Sequence, residues 1–197
     1  MDFHGKISKR GVQMKQGSFK KAVNAFTVIA IFITVIWIIS GKSNSYSKPQ
    51  EAIFAVENDL VLIPAYKINR NALFFFIKDK NNLGATYVRK GLFGWKAEFL
   101  SWSPMDYERN YENLNGYQGH GENLIFGLIK DSDDLLIQLG DKSAKILNLE
   151  MLPTEVVEEY QLAGLYIWYF EIDTALEEGK IRLINNTTEE VIEEIDL

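Results

Sequence analysis

AVNAFTVIAIFITVIWII, residues 22–39, is an uninterrupted apolar run whose only polar side chains are Asn24, Thr27 and Thr34. A helix rises about 1.5 Å per residue and a bilayer core is about 30 Å thick, so roughly 20 such residues span it. In lipid the backbone must satisfy its own hydrogen bonds, which makes the run helical despite its many β-branched residues. The threonine hydroxyls can bond back to a carbonyl one turn earlier. Residues 22–40 are therefore predicted to be a transmembrane helix, with the lipid bilayer as the partner of that segment.

The charges on either side orient it. Residues 1–21 carry Lys6, Lys9, Arg10, Lys15, Lys20 and Lys21 against Asp2, a net of +5. Residues 22–40 carry no charge, and residues 41–197 hold 15 basic and 26 acidic side chains, a net of −11 within the overall −6. The positive-inside rule places residues 1–21 in the cytoplasm as a basic tail and the acidic remainder outside. An acidic body lacks the basic footprint of a nucleic-acid binder, so no nucleic-acid partner is expected. A cleaved signal peptide is the rival reading. Ser43 and Ser45 offer a poor small-x-small site for it, and the apolar run exceeds the usual h-region of about 7–15 residues. With no cysteine in the chain, lipoprotein processing is excluded and disulfide scaffolding is absent, which suits a Gram-positive cell envelope.

The composition beyond the apolar run, 47% hydrophobic and 24% charged over the whole chain, is that of a folded protein. Residues 41–48 read as a polar juxtamembrane linker. Pro49 suits a first helical turn, and Ala52, Ile53 and Val56 follow at helical spacing, giving a helix that ends near Asn58. Short β-like runs come next: 60–67, interrupted by Pro64 and so an edge or bulged strand, then 72–79, 85–90 and 95–102. Residues 49–102 are thus a helix with a small antiparallel sheet.

Residues 103–121 are rich in Tyr, Asn and Gly without apolar period, and form a connecting loop. Six further β-like runs (124–130, 135–139, 145–149, 165–172, 180–185 and 190–195) make 122–197 a β-sandwich-like domain. One or two helical turns capped by Thr154 interrupt them. The fold class is mainly β, α+β overall.

Four motifs carry a resemblance: Leu83-Gly84, Gly91-Leu92-Phe93-Gly94-Trp95-Lys96, Phe126-Gly127-Leu128-Ile129-Lys130-Asp131 and Leu165-Tyr166-Ile167-Trp168-Tyr169. Over roughly residues 48–197 the chain resembles uncharacterised Bacillus-type single-pass membrane-anchored proteins that end in an immunoglobulin-like extracytoplasmic β-domain. The resemblance implies location and architecture. It implies no activity and supplies no functional residues.

No catalytic constellation is visible. The histidines are His4 and His120, and a Ser/His/Asp site would have to recruit His120 from a glycine-rich loop, where an exposed histidine is the plainer reading. A zinc site needs more ligands than that. Asp131, Asp133 and Asp134 are the one candidate for Ca²⁺, but the turn lacks the EF-hand pattern and reads as a solvated hairpin. No cofactor is expected.

The aromatic residues in or beside the long loop are the remaining candidates: Trp102, Tyr107, Tyr111 and Tyr117, amid Asn and Gln, form the expected ligand or partner surface. Trp95 is expected in a core between the two exported portions. The sequence therefore points to a non-catalytic extracytoplasmic binding module, with an envelope protein or cell-wall component as partner. Two alternatives stay open: a carboxylate-based envelope hydrolase, and a one-helix sensor acting through the basic tail.

Overall fold

The computed structural model describes residues 16–114, 116–121, 123–130, 134–172 and 179–197, with side chains from residue 23 onward. The chain divides between Asn44 and Ser45 into two compact units. In the first, α1 runs from Gln16 to Ser43. Thr27 donates to the Val23 carbonyl at 2.9 Å and Thr34 to that of Ala30 at 2.8 Å, which removes both hydroxyls from the list of unsatisfied donors. Its stretch Val23–Ser43 has a mean hydropathy of 2.3 and no buried residues. It is the one helix among the described residues long and apolar enough to cross a membrane.

The second unit is mainly β. Helix α2 (Pro49–Phe54) begins at Pro49, where a missing N–H costs nothing, and the Lys48 N–H donates to the Glu51 carboxylate at 3.2 Å. It stops at Phe54, short of Asn58. Strands β1 (Leu60–Ile68), β2 (Asn71–Lys78) and β3 (Asn82–Lys90) form an antiparallel meander, and both β4 (Trp95–Ala97) and β5 (Ser101–Pro104) pair with β3.

A second sheet is made by β6 (Gln118–His120), β7 (Leu124–Lys130), β10 (Lys145–Asn148) and β11 (Leu165–Glu171), in the order β10-β11-β7-β6. The third holds β8 (Leu135–Leu139), β9 (Lys142–Ser143), β12 (Lys180–Asn185) and β13 (Val191–Asp196), ordered β13-β12-β8-β9. In this order β7 pairs with β11 and β8 with β12, which lends no support to an immunoglobulin arrangement. A short helix, α3 (Thr154–Glu159), precedes β11; Pro153 is its N-cap and Thr154 its first residue, so the expected threonine cap is absent.

The sheets are layers with separate cores between them. Leu73, Phe75 and Ile77 of β2 meet Phe126, Leu128, Ile167 and Tyr169 of the second sheet. On the other side of β2, Phe74 and Ala72 pack with Ala52, Ile53, Val88 and Trp95. The second sheet is likewise covered twice, because Trp168, Phe170 and Ile129 face Ile137, Ile181 and Leu183. Burial on both faces is why ALFFFI, LIFGLI and LYIWYF are continuous apolar runs without alternation. Trp95 thus belongs to the helix side of the first sheet and not to a core between two portions of the chain. Residues on both sides of the 103–121 segment share the central core, so this loop does not separate two cores.

Two irregularities decide what reaches the edge of that central core. Ile63 pairs with Phe75 and Pro64 with Phe74, but Tyr66 pairs with Leu73, leaving Ala65 as an extra residue. This β-bulge turns Tyr66 to the inner face that Leu73 occupies. The second irregularity lies where one strand was expected over 95–102. Ala97 pairs with Val88 and Ser101 with Ala85, so the outer strand has one residue more than β3 over this interval. The excess leaves Phe99 outside the ladder, and the Thr86 hydroxyl bonds to its carbonyl at 3.2 Å.

Candidate functional site

Tyr66, Tyr87 and Glu171 meet where β1, β3 and β11 end at one edge of the central core. The Tyr66 hydroxyl donates to Glu171 Oε1 at 2.5 Å and that of Tyr87 to the same oxygen at 3.4 Å. Lys145 Nζ donates to Oε2 at 2.7 Å. Burial pushes the Glu171 carboxyl up, but hydrogen bonds from Lys145 and Tyr66 outweigh it and hold the group below the usual carboxylate range. Burial, reinforced by Glu171, pushes both tyrosines up. The cluster is therefore a carboxylate served by two neutral hydroxyls and one ammonium.

Glu171 stands between two cavities. One, of about 540 Å³, is also lined by Asn71, Arg89, Glu98, Phe99, His120 and Asn123. The other, of about 500 Å³, is lined by Ile68, Asn69, Lys145 and Tyr169. Tyr66, Asn71 and Glu171 line both, so the two make one groove along the sheet edge. Its charges are matched: Arg89 Nε lies 2.6 Å from Glu98, as Lys145 lies 2.7 Å from Glu171.

His120 is in β6 and 2% exposed, which corrects its reading as an exposed loop residue: Gly119 is itself part of the strand, which pairs with β7. Its Nδ1 is 2.6 Å from Ser101 Oγ, and its Nε2 is buried without a hydrogen-bond partner. Burial lowers its affinity for a proton, so the ring is neutral. Phe99 stacks on it with centroids 4.2 Å apart and planes at 19°.

The aromatic residues expected to form one surface are dispersed. Tyr111 is 8% exposed, and its hydroxyl accepts from the Asp106 N–H at 2.7 Å. Tyr111 shares a cavity of about 490 Å³ with Tyr117. Trp102 lies against Phe76 and under Lys78 Nζ, 4.3 Å from its ring centroid. Tyr107 is 85% exposed.

Loop 103–121 is held by contacts at several of its described residues. Arg109 Nη1 donates to Asn81 Oδ1 and to the Asp106 carbonyl, each at 2.6 Å, and the Leu114 N–H donates to Glu193 at 2.7 Å. Asp131 and Asp133 lie outside the described residues; Asp134 uses its carbonyl to accept from Asn186 at 2.8 Å. No group of three or more metal-ligating side chains occurs among the described residues.

The groove residues Tyr66, Tyr87, Lys145 and Glu171 carry no motif. The signal that stood in the sequence is Glu171 itself, the lone charge at the end of LYIWYF. Comparison of the chain with protein-family models, curated proteins and solved structures finds no match.

Proposed function

We propose that this chain is a single-pass, membrane-anchored, non-catalytic binding module of a bacterial cell envelope, with residues 1–21 cytoplasmic and the β-rich unit outside. The observation that carries the reading is the coexistence of an apolar helix with no buried residues and a unit that fills its own cores. A helix apolar on all sides with no buried residue over Val23–Ser43 needs lipid. The six basic residues before the apolar run at 22–39, and none within that run, support the orientation.

Glu98 and Glu171 line one cavity, which is the specific observation favouring a carboxylate-based hydrolase as second reading. Glycoside hydrolysis needs one carboxyl protonated near neutral pH. Glu98 lies 2.6 Å from Arg89, and Lys145 and Tyr66 hold the Glu171 carboxyl below the usual carboxylate range, so the binding reading stands ahead.

Alkaline extraction of membranes from cells making the full chain tests the tether. The chain should stay in the pellet, and a variant lacking residues 23–43 should be released. Extraction of the intact chain, or its recovery as a shortened form in the medium, would contradict the proposal.

A further inference from the structure

We infer that the groove between Phe99 and Glu171 binds an uncharged oligosaccharide, with Phe99 as the stacking surface and Glu171, Asn71 and Asn123 as the hydrogen-bonding groups. This deepens the binding reading given above and rests on it.

The extra residue that forces Phe99 out of the ladder leaves it 59% exposed. One face is covered by His120 at 4.2 Å, and the ring beneath is held by Ser101 at 2.6 Å. The exposure therefore falls on the opposite face. An aromatic side chain supported from behind and open in front presents a flat apolar surface at small entropic cost, as the hydrogen-rich face of a pyranose ring requires.

Most of the other residues lining that cavity are polar. Glu171 keeps acceptor capacity beyond its bonds to Tyr66, Tyr87 and Lys145, since a carboxylate offers about four lone-pair positions. The Asn71 and Asn123 side chains are exposed on the same cavity and offer both donors and acceptors. Hydroxyl groups, which donate and accept, match that set.

Charge excludes the other polar ligand classes. Each carboxylate in the groove has a cationic partner, Arg89 with Glu98 and Lys145 with Glu171, and His120 is neutral. Among the described residues that line the groove, an anion meets no unpaired cation and a cation no unpaired carboxylate. The cavity beside Phe99, about 540 Å³, lies within the usual range for small-ligand sites, about 300–1,000 Å³.

The test is titration of the full chain in detergent micelles with chitotetraose and cellotetraose, read by saturation-transfer NMR and calorimetry, with a sulfated tetrasaccharide as the charged comparison. At least one neutral probe should bind saturably, the sulfated probe should bind at least tenfold more weakly, and Phe99→Ala should weaken binding about tenfold, the loss of one anchoring aromatic. Asn123→Ala should weaken it severalfold, and Tyr107→Ala, outside the groove, should leave it unchanged. Phe99, Asn123 and Tyr107 are exposed, so circular dichroism should show all three variants folded; a misfolded Phe99→Ala leaves the decision to Asn123→Ala. Absence of binding by both neutral probes, binding indifferent to Phe99→Ala and Asn123→Ala, or preference for the sulfated probe would overturn the inference. A chain that stays in the membrane pellet yet fails these titrations refutes the oligosaccharide alone; a chain that leaves the pellet refutes the tether and leaves the titration standing.

Discussion

Tyr66 and Glu171, 105 residues apart in the chain, are joined by a hydrogen bond of 2.5 Å, and one extra residue, Ala65, makes it possible. Without the bulge Ala65 would oppose Leu73 and Tyr66 would face away from the central core, because successive strand residues alternate sides. Pro64 fits this place, since it has no N–H to contribute to a regular ladder.

Tyr66→Phe should therefore lower stability by about 1–2 kcal/mol, the net worth of a partly exposed hydrogen bond to a charged group. Inserting one alanine between Ala65 and Tyr66 should cost more, because the strand must then absorb a second extra residue or turn the ring out of the core. Denaturant titration of the full chain in micelles checks the order; equal losses would argue against the bulge as the device that aims Tyr66.

The pH dependence of stability should show the buried imidazole. The folded pKa of His120 lies below its ordinary 6.5, so the unfolded chain takes up a proton at a pH where the folded one resists. Stability is then complete above pH 6.5 and falls as pH drops through the lower folded value. His120→Gln should flatten the curve below pH 6.5. Glu171 acts in a lower window: its folded pKa lies below 4.5, so its contribution holds above that value and is lost as pH falls through the folded one. Above pH 10, Tyr66 and Tyr87 resist ionisation that the unfolded chain undergoes, and stability should fall again.

Gly127 packs against Trp168, where a Cβ would come 2.6 Å from the indole. Gly127→Ala should cost about 1–3 kcal/mol through overpacking of a core already filled. Gly119→Ala, with nothing within 4 Å of the added carbon, should change stability by less than about 0.5 kcal/mol. Equal effects of the two would remove the packing explanation.

Much of the layering was legible in ALFFFI, LIFGLI and LYIWYF, whose boundaries match strands within a residue or two, and the apolar run at 22–39 announced α1. Pro64 marked an edge strand with a bulge. What the sequence concealed is long-range. Tyr66 does not look unusual locally, Glu171 shows only as the charge that ends LYIWYF, and the cluster exists only once β1 and β11 are brought together. His120 sits between Gly119 and Gly121, residues that suggest a loop, yet pairing with β7 buries it. The strand expected over 95–102 splits because register against β3 is set by partners, not by the alternation of Trp95, Ala97, Phe99 and Ser101. Tyr111 was grouped with exposed aromatics by composition, whereas its hydroxyl and ring are consumed in folding the loop.

Because the chain has no cysteine, single cysteines report topology without interference, and they give the most direct test of a β-rich unit tethered outside by α1. Leu92 is 82% exposed in that unit, and Ser8 lies in the basic tail. With a membrane-impermeant maleimide on intact protoplasts, Leu92→Cys should be labelled at once and Ser8→Cys only after permeabilisation. Labelling of Ser8→Cys with protection of Leu92→Cys would invert the topology, and equal behaviour of the two would contradict a single crossing.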